Sequence, residues 1–189
     1  MARDAAATKK RLLEAAMAEF SEFGIAGARV ERIAENARSN KAQIYHYFQS
    51  KDGLFDAVFN ELCLDHVRES PIDASDLPEY AGKLFDSYEA HPEIPRLLAW
   101  YRLERTGLSD PLEVVVASLR GKEAAIAAAQ AAGGIPTRYM AAELLTLIVH
   151  LVDLWGARTA EFAVVTEPTT PDRRRAVVVD SVKALLAQQ

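Results

Sequence analysis

The chain has 189 residues, half of them apolar, a formal charge of −5 and one cysteine, Cys63. That is enough apolar material for a real core in one large domain or two smaller ones, and a single cysteine excludes an intrachain disulfide and fits a reducing compartment. Taken alone, the acidic balance argues against a nucleic-acid partner.

The average hides an asymmetry. Residues 1–51 carry nine Lys/Arg against six acids, and the remainder carries 13 against 21. A basic head on an acidic body points to two jobs, with the head facing a polyanion. Arg3–Arg11 lead directly into an amphipathic segment, which is not a signal-peptide pattern. The most apolar window, 139–157, contains Glu143, His150 and Asp153, groups that a membrane span tolerates poorly. The expectation is a soluble, cytoplasmic protein with no membrane partner.

Helical periodicity runs along almost the whole chain, and no strand alternation stands out. In the first segment Leu12, Leu13, Ala16, Phe20 and Phe23 share a face, and Gly24 stops the helix. In the second, Val30, Ile33, Ala34 and Ala37 recur at helical spacing. A short third segment spans about 40–47. The fourth starts at Ser50, a good N-cap, with Asp52 in its first turn. It continues through Leu54, Phe55, Val58, Phe59 and Leu62 to about His66. The stretch 69–78, rich in Pro, Ser and acids, reads as a connector. Further helices are predicted at 77–91, 93–105, 111–132, 136–163 and 172–187.

Two short helices across a tight turn, braced by a longer first helix, make a helix-turn-helix unit. On a helical wheel of residues 41–48, Ile44 and Phe48 point to the core, with Lys41 and Tyr45 at its edges. Ala42, Gln43 and His46 point away, with Tyr47 beside them. A small residue permits close approach to a major groove, and a glutamine amide can bond an adenine edge through two atoms. Tyrosine hydroxyls and lysine ammonium groups suit phosphate oxygens. Lys51 sits in the first turn of the next helix, where free N–H groups also favour an anion.

The run from Thr8 to Val58 resembles the N-terminal DNA-binding domain of the TetR family of transcriptional regulators. The resemblance rests on Leu12–Ala16, Phe20 and Gly24, on Ile33-Ala34, and on IYHYFQSKDGLF (44–55). It implies an all-α fold: a three-helix DNA-binding domain (1–50) and a helical ligand-binding and dimerisation domain (51–189). It also implies repression of a double-stranded DNA operator, relieved by a small molecule, with no cofactor and no catalysis. The implied recognition-helix residues are Gln43, Tyr45, His46 and Tyr47, and the implied phosphate contacts are Thr8 and Lys51. Two departures stand out. Where the family has Thr or Ser to cap the second helix, this chain has Ala28-Arg29. Ala28 cannot cap, which removes roughly 1 kcal/mol, while Arg29 can supply the phosphate contact by charge. Where the family turn reads Gly-Val-Ser, this chain has Arg38-Ser39-Asn40, which predicts a positive φ at Arg38. Asn40 is a sound N-cap.

The segment 144–155 is apolar around most of its circumference and needs cover on more than one side. Together with Val178, Val182, Leu185 and Leu186 of the last helix it predicts a homodimer through 136–163 and 172–187. Two-fold dimers read half-sites about one DNA turn apart, or a multiple of it, so a palindromic operator is expected. Candidate ligand contacts are Phe59, Phe85, Tyr88, Trp100, Tyr101, His150 and Trp155. His150 and Asp153 are expected to be buried and so to need partners. Two other readings stay open: a DNA-bound dimer without a ligand, and a helical enzyme. For the latter the chain offers no phosphate loop, nucleophile elbow or His-Glu-x-x-His pattern. Cys63 and His66 share a helix face, but two ligands do not make a metal site.

Overall fold

Ten helices follow one another, with no strand, among the described residues of the computed structural model. The structure describes residues 2–69, 71–105, 107, 111–156, 159–167 and 169–187, without side chains for 2–4 and 66–69. The His66 side chain and residues 157–158, which sequence reading placed inside a helix, therefore lie outside the described set. In chain order the helices are α1 (Ala2–Gly27), α2 (Val30–Asn36), α3 (Lys41–Phe48), α4 (Lys51–Glu69) and α5 (Leu77–Ala90). They continue with α6 (Glu93–Arg105), α7 (Glu113–Ala131), α8 (Ala141–Gly156), α9 (Ala160–Thr166) and α10 (Pro171–Leu186). The chain divides into two units. Unit 1 holds Met1–Asp65 and Arg96–Leu112, and unit 2 holds His66–Pro95 and Glu113–Gln189. Unit 1 thus draws on most of α4 and α6 as well as on α1–α3.

Unit 1 is built on the apolar faces that the spacing predicts. Leu12, Ala16 and Phe20 of α1, Ile33 of α2, Ile44 of α3, and Leu54, Phe55 and Val58 of α4 are fully buried. Each large side chain among them contributes about 1.5–3 kcal/mol of burial free energy. Phe20 meets Phe55 edge-to-face at 5.2 Å, and Phe59 stacks on Tyr101 of α6 at 4.2 Å. Phe23 departs from its predicted place. It is 39% exposed and lies under the Arg32 guanidinium, 4.3 Å from the ring centroid.

The bend that ends the straight part of α1 is set by Gly24, at φ 68° and ψ −178°. An L side chain is strained there, and its Cβ would fall within 2.8 Å of the Trp100 ring. The indole N–H of Trp100 donates to the Ser21 carbonyl at 3.3 Å. The Glu104 carboxylate accepts the N–H groups of Ile25 and Ala26 at 3.1 and 3.0 Å. These are donors that a bent helix end would otherwise leave to water.

In unit 2 the buried residues of α5 (Leu77, Tyr80, Ala81, Leu84, Phe85, Tyr88) share a core with Leu144, Leu145, Ile148 and Val152 of α8 and Val178 and Val182 of α10. Arg175 fixes α10 on α5 by bonding both Asp86 oxygens, at 3.0 and 2.9 Å, and Glu79 at 2.9 Å. Arg174 adds Glu89 at 2.9 Å.

The single helix predicted over 136–163 is not formed. The Gln130 amide donates to the carbonyls of Pro136 and Tyr139 at 3.0 and 2.8 Å, which holds that stretch as a turn. Helix α8 then starts at Ala141, with Glu143 accepting the Met140 N–H at 2.9 Å. Thr159 caps a separate α9.

Gly53 of α4 carries a prediction. A Cβ there would fall on the Phe48 carbonyl oxygen, a backbone atom that cannot rotate away. Gly53→Ala should destabilise the protein by about 1–3 kcal/mol, the range for overpacking, read as a lower midpoint in urea. An unchanged midpoint would mean that the α3–α4 junction is looser than this contact implies.

Candidate nucleic-acid interface

The turn between α2 and α3 is a Schellman motif. The Ser39 N–H reaches the Ala34 carbonyl at 2.8 Å and the Arg38 N–H reaches that of Glu35 at 3.0 Å. The motif requires a left-handed residue between them, usually glycine. Arg38 occupies it at φ 50°, as its place in the sequence predicts, at a cost of about 1–2 kcal/mol. Asn40 then caps α3 by accepting the Gln43 N–H at 3.0 Å.

Helix α3 buries only Ile44 and Phe48. Ala42, His46 and Tyr45 are exposed, Tyr45 by 48%, and Gln43 and Tyr47 are half-buried. The His46 and Tyr47 rings meet edge-to-face at 5.2 Å. The outward set is small and hydrogen-bond capable and carries no acid. After Phe48 the chain reverses through Gln49, at φ 67° and ψ −40°, with the Ser50 N–H donating to the Phe48 carbonyl at 2.7 Å. This is a γ-turn of the rare, strained hand, which no residue pattern announced. Ser50 caps α4 through the Gly53 N–H at 2.9 Å.

The expected weakness at the start of α2 is corrected by a residue that the sequence did not single out. The N-cap is Arg29, extended and without a side-chain cap, while Ala28 is buried. Glu19 of α1, 4% exposed, accepts the Arg29 N–H at 2.8 Å and the Arg32 Nε–H at 2.8 Å. Burial alone would raise the Glu19 pKa. The hydrogen bonds from Arg32 and the Arg29 backbone outweigh it and hold the carboxyl below its ordinary value.

The proposed phosphate contacts differ in what they already bind. Arg29 is exposed. Lys41 is exposed and bonds Glu31 at 2.8 Å. Thr8 is half-buried and accepts from Arg11 at 3.1 Å. The Lys51 ammonium donates to the carbonyls of Ala26 and Ala28 at 3.3 and 3.2 Å, so it braces the α1–α2 loop.

The candidate ligand contacts do not form one group. Phe59, Trp100 and Tyr101 belong to unit 1, where Phe59 and Tyr101 stack and Trp100 covers Gly24. Phe85 and Tyr88 are buried on α5, and Trp155 is half-buried on α8. His150, expected to be buried, is exposed, with Nδ1 2.9 Å from the Thr146 carbonyl. It points away from the face of α8 that carries Ile148 and Val152, whereas Asp153 is buried as expected.

Glu19→Gln removes a charge that organises the start of α2. It should cost about 1–3 kcal/mol at neutral pH, the range for a buried, charge-assisted hydrogen-bond group. Because the native pKa is depressed, the carboxylate's contribution is present above the unfolded-state pKa and is lost as pH falls through the native one. Urea titrations of both proteins should therefore converge in acid. A gap that stays constant with pH would remove the charge from the explanation.

A family profile described as "Bacterial regulatory proteins, tetR family" matches residues 12–58, and one described as "Tetracyclin repressor-like, C-terminal domain" matches residues 76–183. The HTH-type transcriptional repressor SCO4008 of Streptomyces coelicolor is 40% identical over 153 residues, 80% of each chain. The HTH-type transcriptional regulator RutR of Escherichia coli is 34% identical over 101 residues, 50% of this chain and 48% of RutR. The crystal structure of SCO4942 from Streptomyces coelicolor matches with a TM-score of 0.85 at 33% identity, covering 96% of this chain and 99% of that one. With its helix-turn-helix and helical C-terminal region both matched, the chain belongs to the TetR family of transcriptional regulators and is not an enzyme.

Proposed function

We propose that the protein is a cytoplasmic repressor that binds a palindromic operator as a homodimer and leaves it when a small molecule enters unit 2. The observation that carries this reading is the division of α3. Two side chains anchor it, and Ala42, Gln43, Tyr45 and His46 are left outward. In the proposed complex Gln43 reads a base edge, Ala42 permits close approach, and Tyr45, His46 and Tyr47 bond bases or phosphates. Arg29, Lys41, Thr8 and Lys51 hold the backbone.

The dimer is proposed through α8 and α10. Leu147 and Leu154, one face of α8 at a seven-residue interval, are 37% and 68% exposed. An apolar stripe of this kind on a helix already packed on its other side fits a partner helix. On α10, Val178 and Val182 are spent on unit 2, which leaves the half-buried Leu185 and Leu186 for the interface.

For the effector we retain Phe85, Tyr88 and Trp155 and add Tyr80. Its hydroxyl is buried without a hydrogen-bond partner among the described residues, a state that calls for an explanation. A ligand acceptor or donor would satisfy it. The ligand shifts operator occupancy only by binding two arrangements of the dimer with different affinity.

A duplex selected from a random pool should show two half-sites related by a two-fold, and binding to it should weaken steeply with salt. A footprint without two-fold symmetry would count against the dimer. Leu147→Glu combined with Leu154→Glu should yield a folded monomer in sedimentation, with operator affinity reduced at least tenfold. A mutant that still sediments as a dimer moves the interface elsewhere. Tyr80→Phe should leave the urea midpoint unchanged or raised, because it deletes an unpartnered hydroxyl. A fall of more than about 1 kcal/mol would mean that the hydroxyl is bonded within the protein.

A further inference from the structure

Arg38 combines a backbone that resists a side chain with a side chain that the fold does not use. Its φ of 50° lies in the region where glycine is unstrained and arginine is not. An exposed guanidinium at such a place is expected to gain something from a neighbour. The Arg38 backbone N–H is spent on the turn, but its side chain is exposed and makes no hydrogen bond, ion pair or ring contact among the described residues.

The other basic side chains of residues 5–65 set the contrast. Arg32 is bonded to Glu19, Lys41 to Glu31, and Arg11 to Thr8 and the Ala37 carbonyl. Lys10 pairs with Glu14, Lys9 lies over the Phe48 ring, and Lys51 holds two carbonyls. Among these described residues Arg38 is left without a side-chain partner, while Arg29 makes no side-chain hydrogen bond but lies in the field of Glu19 and Glu31. The two arginines stand at opposite ends of α2, Arg29 as its N-cap and Arg38 just past its C-cap, Ala37. Arg38 also stands two residues before Asn40, the cap of α3.

Space for a ligand adjoins it. Arg38 and Asn36 form one wall of an open cavity of about 470 Å³, and Arg11, Glu14, Ala15 and Ala18 of α1 form the other. Glu14 is the acid in that lining, and its carboxylate is engaged by Lys10 at 3.8 Å. Ala15 and Ala18 are the small residues of that lining.

We infer that Arg38 is a phosphate-binding residue of the operator complex, gripping the DNA backbone beside the first turn of α3. This rests on the DNA-binding reading of α3 above. The strain at position 38 is then offset in the complex and not in the free protein, which is the pattern expected when an unfavourable backbone is kept for function. A planar guanidinium suits this role, since it meets two phosphate oxygens at once.

The test uses the full chain and a duplex selected from a random pool by the wild-type protein. Arg38→Gly removes the strain and the charge together. It should raise the urea midpoint or leave it unchanged. It should weaken binding about fivefold to tenfold near 0.1 M salt, equally for selected and unrelated duplexes, and lower the slope of log K against log salt by about one. Arg38→Lys, which keeps the charge, should recover part of the affinity and most of the slope. Gln43→Ala is measured in parallel and should relax base preference at one position per half-site. If Arg38→Gly binds with unchanged affinity and slope while Gln43→Ala alters preference, the assignment of Arg38 is overturned and the DNA reading stands. If the pool yields no duplex, or neither variant changes binding, the DNA reading itself fails.

Discussion

An eight-residue helix cannot hold itself in water, because nucleation outweighs the few hydrogen bonds so short a helix adds. Helix α3 is such a helix, and most of unit 1 is arranged around that constraint. Two side chains, Ile44 and Phe48, fix it to the core. Everything else must be done by its ends. Both ends are reversed by non-glycine residues at positive φ, Arg38 and Gln49, and both are followed by a capping side chain, Asn40 and Ser50. The core beneath is made by α1, α2 and α4, and α6 closes the bend of α1 with Trp100 and Glu104. The outward face of α3, the proposed recognition surface, is free of structural duty because those neighbours carry the duty for it.

The charge of the chain says little about this surface. A net −5 belongs to the whole molecule, while a DNA backbone senses charges within about a Debye length, ~10 Å. Even the local excess of basic groups overstates what is available. Within unit 1, Glu19, Glu31, Glu14, Asp52 and Asp56 tie down Arg32, Lys41, Lys10 and Arg105. An exposed pair such as Lys41–Glu31 is worth little in stability, so giving up that carboxylate for a phosphate would cost the lysine little. Arg32 differs, because leaving Glu19 would strand a buried carboxylate. Availability is therefore graded by burial of the partner, which a count of charges does not see.

Unit 1 was largely legible from sequence because its rules are local. Helical spacing put Leu12, Ala16, Phe20, Ile33, Ile44, Leu54, Phe55 and Val58 inside, and each is buried. Cap chemistry identified Asn40 and Ser50, and the departure from glycine identified the strained φ at Arg38. Glu19 was hidden because its partners are ten and thirteen residues away and its face of α1 is defined only once α2 has docked. Gln49 was hidden because a γ-turn has no composition of its own. The helix predicted over 136–163 failed for the same kind of reason. The residue that holds the 135–140 turn, Gln130, lies on the preceding helix.

The candidate ligand contacts were less legible because an aromatic ring carries little information about its role. Phe59, Trp100 and Tyr101 read as pocket residues by type, yet packing alone accounts for Phe59 and Tyr101, which stack face to face. A ring is content with any well-packed neighbour. A polar atom is not, since burial removes its water and only a hydrogen bond restores the loss. That asymmetry ranks Tyr80 above Phe85 and Tyr88 as a pointer to an effector, although all three are buried on α5. His150 makes no such demand, because its ring remains in reach of water. The pointer to the proposed effector is thus an unfilled hydrogen-bond requirement inside the core, and such a requirement becomes visible only after the helices have packed.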